Sequence, residues 1–100
     1  MLVVRKLIWD TWNKQHIARH HIVTGEVEAI CHENPLVLQG QQKRRLVLLG
    51  QTEDGRVLGV VLESKGHGQY YPVTAYSADV NDMALYHRLR GGDHNETDKK

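Results

Sequence analysis

Arg45-Leu46-Val47-Leu48-Leu49-Gly50-Gln51-Thr52-Glu53-Asp54-Gly55-Arg56-Val57-Leu58-Gly59-Val60-Val61-Leu62-Glu63 sets the architecture of this 100-residue chain. Two apolar runs flank Asp54-Gly55, a dipeptide that favours a hairpin turn because glycine tolerates positive φ. The reading is a strand over 45–51 and an antiparallel return over 57–63. Both runs are apolar at nearly every position, which predicts central strands covered on both faces. Upstream, Leu36-Val37-Leu38 forms a shorter strand after Pro35. Downstream, Gly66-His67-Gly68 marks another turn and 69–75 a last strand. Pro72 has no N–H, so this strand lies at an edge or places its proline where no ladder bond is needed. Alternation puts Tyr70, Thr74 and Tyr76 on one face and Tyr71, Val73 and Ala75 on the other.

Residues 3–8 suit a strand, and Asp10 is placed to cap a helix that runs to about His20. Asn13, His16, Ile17 and His20 fall at i, i+3, i+4 and i+7, on one helical face. Thr24 is a second N-cap candidate, with Glu26 favoured by the positive end of the helix dipole. That helix buries Val27, Ile30 and Cys31 and stops by Asn34, because a residue before proline avoids helical geometry. Asp79 caps a final helix with Val80, Met83, Ala84 and His87 on one stripe and Tyr86 beside it. The expected fold is α+β: a small antiparallel meander packed with two N-terminal helices and one C-terminal helix.

Lys and Arg number 13, Asp and Glu 12, giving a formal charge of +1; 40% of residues are hydrophobic and 25% charged. This balance belongs to one folded domain, over 1–90, followed by a polar stretch, 91–100, that reads as a disordered tail. Without that stretch 11 basic residues face 9 acidic ones, and the near-neutral total argues against nonspecific coating of nucleic acid. Basic side chains and histidines concentrate over 1–25 and at Lys43-Arg44-Arg45, leaving room for a local anion site. No apolar run approaches the roughly 20 residues of a membrane helix, and Met1-Leu2-Val3-Val4 meets Arg5-Lys6 too soon for a signal peptide. A single cysteine, Cys31, allows no internal disulfide and suits a reducing cytoplasm. At this length only about 60–70% of the unfolded surface is buried on folding, which leaves room for oligomerisation.

Three polar residues beside Ile17 breach simple patterning on the first helix. Asn13 and His16 read as buried hydrogen-bonders that tie helix to sheet, and His20, at the helix C-terminus, as the solvent-facing histidine. His16 and His20 have the i, i+4 spacing of a metal pair, but Ile17 stands where a zinc protease carries Glu, and no further ligand cluster completes four. Cys31 on an apolar stripe reads as core filler rather than nucleophile. Arg44, Arg45 and Arg56 stand at strand starts, with Arg45 and Arg56 toward opposite ends of their hairpin. A tyrosine row on the last strand could stack bases or pack under the final helix.

In order and spacing, these segments resemble the BrnT family of type II toxin–antitoxin toxins, RelE-like ribonucleases. The resemblance is carried by Ile8-Trp9-Asp10, Asn13, His16-Ile17, His20 and Val23, then by Glu26-Val27-Glu28 and Asn34-Pro35. It continues through Leu49-Gly50-Gln51-Thr52, Gly55-Arg56-Val57-Leu58 and Val60-Val61 to Val73-Thr74-Ala75 and Tyr86. It covers about residues 7–90 and implies a metal-independent endoribonuclease without a cofactor, with RNA and a cognate antitoxin protein as partners. The implied reaction is attack of a ribose 2′-OH on the adjacent phosphate. His20 would be its acid or base, Arg45 and Arg56 phosphate contacts, Tyr76 and Tyr86 positioning or proton-transfer groups. One position departs: Tyr76 stands where the family has Arg after Thr-Ala, and a missing cation weakens phosphate binding and transition-state stabilisation. The competing reading is a non-catalytic relative of the toxin fold that binds protein or RNA.

Overall fold

The computed structural model describes residues 2–40 and 42–92. Its elements are β1 (Lys6–Leu7), α1 (Thr11–Ala18), α2 (Thr24–His32), β2 (Leu36–Gln39), β3 (Arg45–Gln51), β4 (Val57–Gly66), β5 (Gln69–Ser77), α3 (Val80–His87) and a π-helical turn, Arg88–Gly92. That turn takes in the first two residues of the stretch read as a tail; 93–100 lies outside the described residues.

Strands β2 to β5 form the antiparallel meander anticipated from the turns, in sheet order β1-β5-β4-β3-β2. One expectation needs correcting. The first strand is only two residues long and pairs in parallel with β5, so the sheet is mixed and β5 is not its edge. Pro72 is accommodated by a β-bulge. Val61 faces Thr74 and Leu62 faces Pro72, leaving Val73 as the extra residue. The bulge also resets the alternation. Ala75 joins the core and Tyr70 packs against it, while Tyr76 lies over Gly59 on the other face. Tyr70 and Tyr76 therefore stand on opposite faces, and the single tyrosine row does not form.

Helices α1 and α2 cover one face. Ile17, Val27, Leu48, Leu58, Val60 and Leu62 belong to its core, each at most 1% exposed, and each such burial stabilises the fold by roughly 1.5–3 kcal/mol. Gly50 lets α2 settle, because a Cβ there would lie 2.7 Å from the Ile30 side chain. On the opposite face Leu49, paired with Gly59, is also fully buried. Both central strands are thus covered on both sides. The cover on the second face is thinner: α3 lies there without one buried residue. Its expected stripe faces outward, with Val80 76% exposed, while Asp82, Leu85 and Tyr86 are half-buried instead. Only Ala78 and the cap, Asp79, separate α3 from β5, a link too short to let the helix rotate freely.

Candidate functional site

The geometry of α1 follows from Asp10 and Asn13. The Asp10 side chain accepts from the Asn13 N–H at 2.9 Å, and the Asn13 Oδ1 accepts from the Asp10 N–H at 2.8 Å, a reciprocal cap that satisfies donors a helix start would leave open. Asn13 Nδ2 then donates to the carbonyls of Ile8 at 3.0 Å and Pro72 at 3.1 Å, fixing the fully buried side chain to β5. Tyr71 adds its hydroxyl to the Asp10 carboxylate at 3.0 Å; burial first, then Asp10, raises the tyrosine pKa. Asn13 is the helix-to-sheet tie read from the sequence. His16 is not: it is half-buried and stacks on Trp12, with ring centroids 4.8 Å apart and planes 11° from parallel. His20 meets the edge of His16 at 6.0 Å and is exposed. The sequence reading passed over Trp12; its position four residues before His16 was the available signal.

Past α1 the backbone reverses at His21, whose φ is 61°. Helix α2 starts one residue earlier than the Thr24 cap implies. Val23 occupies the cap and has no side-chain acceptor, so Glu26 Oε1 accepts from its N–H at 3.2 Å. Glu26 also pairs with the Arg56 guanidinium. Arg56 further reaches Asp54 Oδ2 at 3.5 Å and the His21 carbonyl at 3.5 Å. The β3–β4 turn, the start of α2 and the histidine loop are thereby joined at one corner. Glu26 is the main cause of the raised Arg56 pKa. The Thr52 hydroxyl and, less strongly, Arg56 lower that of Asp54. Beside this corner opens a groove of about 650 Å³ whose lining includes Glu26, Glu33, Glu53 and Asp54. Its carboxylates would repel a phosphate.

The five residues singled out from the sequence fall in three places. Arg56 reaches the carbonyl of His21, one residue past His20, while the His20 ring meets His16. Arg45, at the far end of β3, pairs with Glu63 at 3.1 Å. Six residues separate Arg45 from Gln51, roughly 20 Å of strand. Lys65 and then Arg45 hold the Glu63 carboxyl below the usual range. Tyr76 lies on the other face over Gly59, where burial, then Asp82 and Asp79, raise its pKa. Tyr86 lies on α3 with Arg90 6.0 Å from its ring and His87 edge-on at 5.6 Å. Cys31 is buried in the core, its thiol pushed up to about 12 by burial and then by Glu28, unsuited to nucleophilic work. Among the described residues no group of three or more His, Cys, Asp and Glu side chains is placed to hold a metal ion, and no helix is long and apolar enough to cross a membrane.

No family model and no curated protein matches the chain. Among solved structures the fold is similar to that of the Brucella abortus ribonuclease toxin BrnT, with a TM-score of 0.60 and 22% identity. The likeness covers 74% of this chain and 96% of that one. At that identity it establishes a shared α+β toxin fold, in keeping with the resemblance of the segments above.

Proposed function

With that toxin fold as the starting point, we propose that the chain is an endoribonuclease of a type II toxin–antitoxin module, held in check by a cognate antitoxin. The likeness to a ribonuclease toxin carries this reading. RNA cleavage of this class forms a bond from the 2′-oxygen to phosphorus and breaks the bond from phosphorus to the 5′-oxygen. One group takes the 2′-OH proton, another gives a proton to the departing oxygen, and positive charge stabilises the phosphorane. His20, exposed on the turn after α1, serves as acid or base. Arg56, bonded to the carbonyl of the neighbouring His21, meets the phosphate once it exchanges a carboxylate partner for it. Arg45, Tyr76 and Tyr86 lie apart from this pair and are tested singly. The purified protein should convert RNA to fragments ending in 2′,3′-cyclic phosphate, fail on 2′-deoxy substrate, and lose activity in His20→Ala while keeping its melting temperature. Full cleavage by a folded H20A protein removes His20 from the reaction. Growth without arrest or RNA loss when the wild type is expressed and folded removes the enzyme reading.

The second reading, a non-catalytic RNA- or protein-binding relative, is favoured by one observation. Both arginines assigned to phosphate already face carboxylates, Arg45 toward Glu63 and Arg56 toward Glu26 and Asp54. Binding of RNA without cleavage products would select it.

A further inference from the structure

From Trp12 to His20, α1 presents an aromatic ladder that the fold does not use. Trp12 is 56% exposed, although a tryptophan on a small domain ordinarily buries most of its surface. The helix has an inward face for such a residue, but Asn13 and Ile17 fill it. Trp12, His16 and His20 instead follow one another at intervals of four along the flank. The first two rings stack nearly parallel, and the third meets the second on edge. His16 covers one side of the indole and holds its plane; the exposure leaves the other side to solvent. Such a ring is pre-ordered for a flat partner, which lowers the entropic cost of binding.

The charge around the ladder selects the partner. Arg19, seven residues after Trp12 and so on its flank, is exposed at the C-cap, and no acidic residue occurs within the helix. The nearest acid, Asp10, is engaged by the Asn13 N–H and the Tyr71 hydroxyl. An acidic peptide would find a cation here but little for its backbone. A lipid surface would call for several exposed aliphatic side chains, and α1 offers none beside Trp12. A single-stranded nucleic acid matches both features, a base for the indole and a phosphate for Arg19.

We propose that Trp12 is a base-stacking platform for single-stranded RNA, backed by His16, with Arg19 beside the strand. This rests on the RNA reading above and adds to it how substrate is held: the ladder leads a stacked nucleotide toward His20. Because every base has a π-face, the platform sets affinity and favours the more strongly stacking purines without reading a sequence.

The test uses the whole chain and a 2′-O-methyl oligoadenylate hexamer, which cannot be cleaved through a 2′-hydroxyl. Binding should quench tryptophan fluorescence. The quench should persist in Trp9→Phe, because Trp9 is half-buried with its Nε1 donating to Glu28. Trp12→Ala should weaken binding by about 5- to 100-fold, the range of one lost base stack. Trp12→Phe should recover most of it, and oligouridylate should bind more weakly than oligoadenylate. Thermal melts certify that the variants are folded, which a surface position favours. Equal affinity of a folded W12A variant for the hexamer overturns the platform while leaving RNA binding intact. Failure of the wild type to bind either hexamer overturns the RNA reading itself. A change in self-association in W12A without a change in hexamer affinity also overturns the platform, since Trp12 would then be a protein contact.

Discussion

Replacing Asn13 by Ala removes three hydrogen bonds at once: the acceptor for the Asp10 N–H and the donors to the Ile8 and Pro72 carbonyls. The Pro72 carbonyl is the critical group, since its bond to Asn13 is buried. Stripping a buried acceptor of its partner costs about 1–3 kcal/mol, and losing half of the reciprocal cap about another 0.5–1 kcal/mol. The total is roughly 1.5–4 kcal/mol, a large share of the stability of a small domain. At about 4–8 °C per kcal/mol for this size, the Tm should fall by at least roughly 6 °C. The isosteric Asn13→Asp should be worse at neutral pH. It keeps the acceptor but sets carboxylate oxygens against two carbonyls in a dry site. Its deficit should shrink on acidification, because a protonated carboxyl regains one donor. Urea melts across pH, with an unchanged slope to exclude denatured-state effects, make the comparison. An N13A variant within about 0.5 kcal/mol of wild type, or an N13D variant as stable as wild type at neutral pH, would refute the assignment of Asn13 as the tie.

Three further outcomes are expected. The unfolded Cys31 thiol ionises near 9.0 and the folded one near 12, so the unfolded state releases its proton first. Stability should decline from about pH 9 toward 12 by up to roughly 1.4 kcal/mol per pH unit from this group. Urea melts of wild type and Cys31→Ala at pH 8 and 10 isolate that contribution. Gly59→Ala drives a Cβ to within 2.4 Å of the Tyr76 ring and should cost about 1–3 kcal/mol. A double-mutant cycle with Tyr76→Ala should show that the strain disappears with the ring. Arg56→Ala should lower the log–log salt slope of hexamer binding by about one if the guanidinium meets a phosphate. An unchanged slope with a lowered Tm assigns Arg56 to the corner alone.

The meander was legible because its signals are local. Asp54-Gly55 and Gly66-His67-Gly68 mark turns on their own, and β3 spans the 45–51 read from the apolar run. Asp10 and Asp79 cap their helices as side-chain chemistry suggests. What failed depended on distant partners. The parallel pairing of β1 needs β5, more than sixty residues away. The bulge at Val73 is invisible to a period-two rule and sends Tyr70 and Tyr76 to opposite faces. Thr24 gave way to Val23 as cap because Glu26 could reach back to a backbone N–H. At the candidate site, His20 is exposed as read, but His16 was placed too deep: Asn13 alone went inside, and His16 went to Trp12. The carboxylates that neutralise Arg45 and Arg56 could not be paired with them from spacing, since Glu26 lies thirty residues before Arg56.

The two-residue β1 also has a consequence for the order in which the molecule assembles. The β3–β4 and β4–β5 pairings close through short turns and can form early, whereas β1 and the Asn13 tie wait on residues near position 70. Residues 6–18 are made before the meander yet are seated after it. Before β5 is made, α1 is held without its anchor, so the helix carrying the histidines gains its fixed orientation only after the meander is complete. Hydrogen exchange pulsed during refolding should protect the hairpin amides of Leu48 and Val60 before those of Ile8 and Ile17.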